Sequence, residues 1–95
     1  MKARLVVRER VVFEDGHFVE MVVWQVPSPV PPSSHAFKYR LVYIEDGVRV
    51  VGFDNERGKG DHMHLRGEER AMDFPGVDRL LERFVREVDR IRRHR

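Results

Sequence analysis

The sequence predicts an α+β fold: an antiparallel sheet of four or five strands with one C-terminal amphipathic helix packed on one face. The sheet is expected because two Asp-Gly pairs, at 15–16 and 46–47, each lie between β-branched and aromatic residues, a pattern typical of β-hairpin turns. The helix is expected because apolar residues recur every three or four positions between 77 and 91. Two hairpins, a short further strand and one helix then account for most of the chain.

The first Asp-Gly pair predicts that strand 3–13 pairs with strand 17–26. A two-residue turn would place Phe13 opposite Phe18, and residues directly opposite each other share a face. Trp24 would lie on this same face, which collects most of the large apolar side chains of the hairpin. The neighbouring arginines would lie on the other face.

The second Asp-Gly pair predicts that strand 36–45 pairs with strand 48–54, and a short fifth strand is expected at 61–66. The helix is expected over about 77–93, with its apolar stripe against the sheet. Between the hairpins, segment 27–34 contains four prolines, which cannot donate to a sheet ladder. It is therefore interpreted as a stiff connector.

Length and composition indicate a single domain over residues 1–95. Hydrophobic residues make up 41% of the chain and charged residues 36%, so no stretch approaches the about 20 apolar residues that a membrane span requires. The sequence contains no cysteine, and its start lacks the apolar run of a secretory signal. We therefore expect a cytoplasmic protein without a membrane partner. The net charge is only +2, so a nucleic-acid surface would require clustering of the basic residues.

One helix cannot cover both faces of the predicted sheet, so one face should be open to solvent or to a partner. The predicted pairing gathers basic residues on that face: Arg4, Arg8, Arg10, Lys38, Arg40 and Arg49. They alternate with valine and methionine. Such a mixed basic and apolar surface suits either a partner protein or RNA.

Segment 53–64 concentrates polar residues that can carry chemistry. Gly58 and Gly60 flank Lys59, so backbone N–H groups there can approach an anion beside the ammonium group. The glycine spacing differs from that of a Walker loop, and no Ser or Thr follows the lysine. A plain flexible turn explains the same residues without any function.

His62 and His64 are separated by one residue, so on a strand both imidazoles point to one face. Two chemistries fit this pair: a divalent metal held with Asp61 or Asp54, or acid and base catalysis on a phosphodiester with Lys59 stabilising the developing charge. His35 is a further candidate partner. The alternative is that the histidines are surface residues bonded to water and nearby carboxylates.

Three segments in this order resemble the TumE-type toxin family of bacterial and archaeal toxin–antitoxin modules: 35–40 (His-Ala-Phe-Lys-Tyr-Arg), 53–55 (Phe-Asp-Asn) and 58–64 (Gly-Lys-Gly-Asp-His-Met-His). A helix led by Phe74 follows them. The similarity runs from about residue 30 to residue 90. The resemblance implies a small growth-inhibiting protein that is neutralised by a helix-turn-helix antitoxin encoded beside it.

The leading hypothesis is a toxin that contacts RNA or the translation machinery, with metal-independent ribonuclease activity and no cofactor. Its predicted catalytic residues are Lys59, Asp61, His62 and His64. Its predicted RNA-binding residues are Lys38, Arg40, Arg49 and Arg57. Further candidates are His35, Asp54 and Asn55.

Two other hypotheses remain open. One is a non-catalytic module that binds another protein through the open sheet face, in which case the histidines are incidental. The other is a metal-dependent phosphodiesterase that uses the His-x-His pair. The expected partners are the helix-turn-helix antitoxin and RNA or the ribosome, and the sequence leaves a homodimer open.

Overall fold

The computed structural model describes residues 2–94, so Met1 and Arg95 of the predicted 1–95 domain lie outside the described residues. Within 2–94, the chain forms six strands followed by a helix. They are β1 (Arg4–Val12), β2 (Phe18–Gln25), β3 (Phe37–Glu45), β4 (Val48–Glu56), β5 (Gly60–Leu65), β6 (Glu68–Ala71) and α1 (Val77–Arg93).

The strands form one antiparallel meander in the order β1-β2-β3-β4-β5-β6. The α+β class with a C-terminal helix is confirmed, but the predicted number of four or five strands is wrong. The additional strand is β6, which pairs with β5 after a tight turn at Arg66 and Gly67, both with positive φ (47° and 89°). Its sequence, Glu-Glu-Arg-Ala, is exposed and has no apolar alternation, which is why the hydrophobic pattern did not indicate it.

The core lies between α1 and one face of the sheet. Phe84 of the helix meets Phe53 of β4 edge to face, with ring centroids 5.7 Å apart, and both side chains are buried. The other buried residues of this core cluster are Val19, Val23, Tyr39, Leu41, Tyr43, Val51, Leu80, Val88 and Ile91. The opposite side of the sheet carries no helix within residues 2–94, and we call it the open face.

The register of the first hairpin differs from the prediction by one residue. Val12 pairs with Phe18 and Val11 with Val19, so Phe13 does not lie opposite Phe18. The reason is the turn. The N–H of Phe13 donates to the carbonyl of His17, the N–H of Gly16 donates to the carbonyl of Phe13, and residues 14–16 form a three-residue loop. A two-residue turn was assumed.

A one-residue shift moves side chains to the other face of a strand. Val19, Met21 and Val23 therefore face the helix. Phe18, Val22 and Trp24 belong to the open face, because Val22 pairs with both Arg8 and Arg40 across the sheet. The open face is thus both basic and aromatic.

The second hairpin has the predicted two-residue turn, in which Asp46 and Gly47 both have positive φ (50° and 79°). Lys38 and Arg40 lie on the open face, where they pair with Trp24 and Val22 of β2. The stem of Arg49 lies across Gly52, since a Cβ built at this glycine would be 2.9 Å from Arg49 Cδ. This arginine is therefore also on the open face.

The proline-rich segment packs against the β4–β5 turn. The N–H of Gly58 donates to the carbonyl of Pro31 at 2.9 Å, and a Cβ at Gly60 would lie 3.0 Å from Pro32 Cγ. The Gly58 N–H is therefore used within the fold and is not available to the anion considered for this loop.

Within residues 2–94, α1 is neither long nor apolar enough to cross a membrane.

Candidate functional site

The alternation of β4 and β5 divides their polar residues between the two faces of the sheet. Asn55 pairs with Asp61, and both lie on the side of the helix. Asp54 pairs with His62, and both lie on the open face with His64. Neighbours in the sequence thus belong to two separate polar groups.

The first group, which we call the clamp network, consists of Ser33, His35, Tyr39, Asn55 and Asp61. Asp61 accepts hydrogen bonds from the Tyr39 hydroxyl at 2.7 Å and from the Ser33 hydroxyl at 3.0 Å. His35 Nε2 lies 2.7 Å from Asp61 Oδ1. Because His35 Nδ1 accepts the N–H of Phe37, Nε2 must carry the proton and donate to this carboxylate.

Asn55 connects this network to the backbone. Its Oδ1 accepts the N–H of Tyr39 at 2.9 Å, and its Nδ2 donates to the carbonyl of Phe37 at 2.7 Å and to Ser33 Oγ at 3.3 Å. The side chain is fully buried. Asn55 therefore fastens the proline-rich segment to strands β3 and β4.

The clamp network favours a charged Asp61. Burial raises the pKa of Asp61, but the hydrogen bonds from Tyr39, His35 and Ser33 outweigh it and hold the pKa below its usual value. Burial, together with the hydrogen bond to Asp61, raises the pKa of Tyr39, which stays a neutral donor. His35 also stacks on Phe74 with ring centroids 3.7 Å apart. These matched donors and acceptors indicate a structural role.

The second group, which we call the open-face cluster, consists of Asp54, Glu56, His62, His64 and Glu69. His62 Nδ1 lies 3.0 Å from the carbonyl of Gly60, which can only accept, so this nitrogen carries a proton. His62 Nε2 lies 2.7 Å from Asp54 Oδ1 and 3.2 Å from Glu69 Oε1. One ring nitrogen thus faces two carboxylates.

Two atoms of the open-face cluster are buried without a hydrogen bond from residues 2–94: Asp54 Oδ1 and His64 Nδ1. Asp54 is only 7% exposed. Buried polar atoms are usually satisfied, and leaving one unpaired costs about 1–3 kcal/mol. In contrast to the clamp network, the arrangement of the open-face cluster therefore does not serve stability alone.

Lys59 lies at the rim of the open-face cluster. Its Nζ is 3.4 Å from Glu69 Oε1, and the ammonium group lowers the pKa of Glu69. Asp54, Glu56 and His62 place their ligand atoms within 4.8 Å of one another, a spacing that allows one metal ion to be shared.

A basic and aromatic surface adjoins the open-face cluster. Arg8 lies over the ring of Trp24 and Arg10 over the ring of Phe18, at 6.0 and 4.6 Å from the ring centroids. Arg40 directly opposes Asp54, so this surface continues into the cluster along one row of the sheet. A groove beside this row is lined by Glu20, Val22, Trp24, Lys38, Tyr39 and Arg40.

The structure groups some of the predicted site residues and separates others. His62, His64 and Asp54 come together on the open face, with Lys59 at the rim. Asp61, predicted to act with them, lies on the opposite face in the clamp network.

The other predicted residues lie apart from the histidine pair or around it. His35 and Asn55 belong to the clamp network. Lys38, Arg40 and Arg49 surround the open-face cluster, and Arg57 is exposed in the β4–β5 turn.

Three residues of this surface were missed. Glu69 lies on β6, for which the Arg66-Gly67 pair was the available signal. Glu56 ends β4 two residues after Asp54, so its face followed from strand alternation. Trp24 was assigned to the other face because of the register of the first hairpin.

The fold and the site together define a small α+β domain with a helix behind the sheet and a polar cluster within an open basic surface. The family model described as Toxin TumE matches residues 2–92, nearly the whole chain, and the chain belongs to this family. The resemblance seen over residues 30–90 is thereby confirmed and extended to the first hairpin, β1 and β2. Membership indicates the toxin component of a toxin–antitoxin module, with an antitoxin as its partner.

Neither the curated proteins nor the solved structures yield a match to this chain.

Proposed function

We propose that this toxin inhibits growth by binding and cleaving RNA on its open face, with His62 and His64 at the reacting phosphate. The observation that carries the proposal is the continuity of the open face. The open-face cluster, which contains two buried, unpaired polar atoms, adjoins a surface of arginine, lysine and aromatic side chains on the same face of the sheet.

Binding is assigned to the part of the open face formed by β1, β2 and β3 together with the first residues of β4. Lys38, Arg40 and Arg49 offer charges to the phosphates. Trp24 and Phe18 lie beneath the guanidinium groups of Arg8 and Arg10, and these paired planes offer stacking surfaces to unpaired bases. Stacking of a base on an aromatic side chain contributes about 1–3 kcal/mol, and arginine adds a cation–π contribution. The row of Arg8, Val22 and Arg40 continues across the sheet to Asp54 and His62, so a single-stranded RNA lying along it would pass over the open-face cluster.

Cleavage is assigned to the open-face cluster. The imidazole of His64 is the candidate group for moving a proton at the reacting phosphodiester, since histidine exchanges protons near neutral pH. Lys59 is placed to stabilise the negative charge that develops. In this proposal Asp54 and Glu69 replace the predicted Asp61 as the carboxylates beside His62.

The proposal is tested by producing the wild-type chain, His62→Ala and His64→Ala in a bacterial host and assaying the purified proteins on single-stranded RNA. Each substitution should relieve growth inhibition and reduce cleavage by at least about 100-fold, the contribution typical of a group that transfers protons. His94→Ala, an exposed histidine at the end of α1, is the matched control and should behave as wild type. Co-production of the helix-turn-helix protein encoded beside the toxin gene should restore growth.

The non-catalytic alternative makes a different prediction in the same assay. If both histidine variants still inhibit growth and the wild-type protein leaves RNA intact, the open face binds a partner without reaction. That result would contradict the ribonuclease proposal.

A further inference from the structure

In the open-face cluster, the tautomer of His62 turns an unprotonated ring nitrogen toward two carboxylates. Because Nδ1 donates to Gly60, a neutral ring presents the lone pair of Nε2 to Asp54 Oδ1 at 2.7 Å and to Glu69 Oε1 at 3.2 Å. A lone pair that faces two carboxylates is repelled by both. A cation bound between these atoms would remove this repulsion.

The close contact between His62 Nε2 and Asp54 Oδ1 is not a well-aligned hydrogen bond. A proton would have to lie close to the line from Nε2 to a carboxylate oxygen, but Asp54 Oδ1 receives no hydrogen bond in this geometry, although it is buried and close. A metal ion is not restricted to that line, because it binds several ligands from different directions.

We infer that Asp54, Glu56 and His62 form a site for a divalent cation on the open face. Three observations support it: the ligand atoms lie within 4.8 Å of one another, the Asp54 side chain is about nine-tenths buried with Oδ1 unpaired, and His62 donates its other ring N–H to a carbonyl. The last arrangement is the one by which proteins usually orient a metal-binding imidazole.

The ligand types indicate which cation fits. Two carboxylates and one imidazole combine oxygen ligands, which suit Mg²⁺ and Mn²⁺, with a nitrogen ligand, which suits Fe²⁺ and Zn²⁺. Mn²⁺ is taken as the probe, because it fits the two carboxylates and is detected directly by electron paramagnetic resonance. Glu69 lies close enough to His62 Nε2 to hold a water on the ion, and its charge is shared with Lys59.

This inference deepens the proposed function and rests on it for its catalytic role. A divalent ion in the open-face cluster would bind a phosphate oxygen of the RNA and lower the pKa of a bound water. This water would attack phosphorus as one phosphorus–oxygen bond of the RNA chain breaks, and the leaving oxygen would take a proton from the imidazole of His64. It would also replace the metal-independent mechanism expected from the sequence. The binding of the ion can be measured without any RNA.

The test is a titration of the purified full chain with Mn²⁺, followed by electron paramagnetic resonance or calorimetry. One equivalent should bind. Asp54→Asn should weaken Mn²⁺ binding by at least about tenfold, and so should Glu56→Gln, which changes an exposed residue and leaves the core intact. Even loss of a residue that only orients a metal ligand costs about 10–100-fold in affinity. Glu20→Gln, on the same face but paired with Arg10, is the matched control and should bind as wild type.

Two results would overturn the inference: no stoichiometric Mn²⁺ binding to the wild-type chain, or binding that both cluster variants leave unchanged. RNA cleavage that persists in a chelator and still requires His64 would also overturn it, while leaving the proposed ribonuclease function in place. Conversely, site-specific Mn²⁺ binding by a protein that cleaves no RNA would support the cation site and contradict the ribonuclease.

Discussion

The clamp network and the open-face cluster are built from alternate residues of the same two strands, yet they follow opposite rules. In the clamp network the buried carboxylate of Asp61 is surrounded by donors, and its pKa is lowered. In the open-face cluster Asp54 is buried to a similar degree, but its Oδ1 accepts no hydrogen bond and lies 2.7 Å from His62 Nε2. Buried polar groups with matched partners stabilise a fold, whereas buried polar groups without partners indicate a site at which a ligand supplies the missing contacts.

The largest difference in stability is expected when two adjacent buried residues, one from each group, are truncated. Asn55→Ala should lower the free energy of unfolding by about 2–4 kcal/mol, because it leaves the Tyr39 N–H and the Phe37 carbonyl buried without partners. Asp54→Ala, one residue earlier, should change it by less than about 1 kcal/mol, since no hydrogen bond to Oδ1 is lost. Urea denaturation followed by circular dichroism measures both. Equal losses would mean that the two groups do not differ in structural role.

Acid sensitivity should distinguish the two groups next. The pKa of Asp61 is lower in the folded protein than in the unfolded chain, where it is about 3.9, so its charge stabilises the fold above that pH. This stabilisation is lost as the pH falls through the lower, folded-state value. Asp61→Asn should therefore be less stable than wild type at pH 7 but should lose less stability than wild type between pH 5 and about pH 2.

Thermal melts across this range provide the measurement, with Glu20→Gln as the control for an exposed carboxylate. Parallel pH profiles for wild type and Asp61→Asn would show that another acidic group dominates the acid response.

The fold shows how far local patterns determine structure. The helix and the hairpins follow from periodicity and turn chemistry, but the same Asp-Gly pair forms a three-residue loop at Gly16 and a two-residue turn at Gly47. Both turns contain the run Glu-Asp-Gly, which therefore does not distinguish them; at the first, the N–H of His17 also donates to Asp15 Oδ1 at 3.0 Å. The difference of one residue decides which face of β2 is buried, because the side-chain period of a strand is two.

The site was predictable only where strand alternation was applied fully. It correctly places His62 and His64 on one face, and by the same rule it places Asp61, next to His62, on the other. Adjacency in the sequence was taken for adjacency in space. Glu69 could not be found in this way, because β6 has no hydrophobic pattern and its pairing depends on the turn at Arg66 and Gly67.

The smallest effect is expected from exposed ion pairs on the two faces, which contribute little to stability. Lys59 and Glu69 form an exposed ion pair at the rim of the open-face cluster. Arg70 and Glu68 form another on β6, where Arg70 pairs with Met63 on the helix side of the sheet. Exposed pairs contribute little, so Lys59→Ala and Arg70→Ala should each change the free energy of unfolding by less than about 1 kcal/mol.

Only the variant on the open face should affect function. Lys59→Ala should lower RNA cleavage by about tenfold, less than the about 10²–10³-fold typical of a buried charge-stabilising donor, because the ammonium group is half exposed. Arg70→Ala should cleave RNA as wild type does, and both proteins should melt at the same temperature. A similar loss in both variants would trace the effect to general attraction between the protein and RNA, which depends on net charge, and would remove Lys59 from the reacting site.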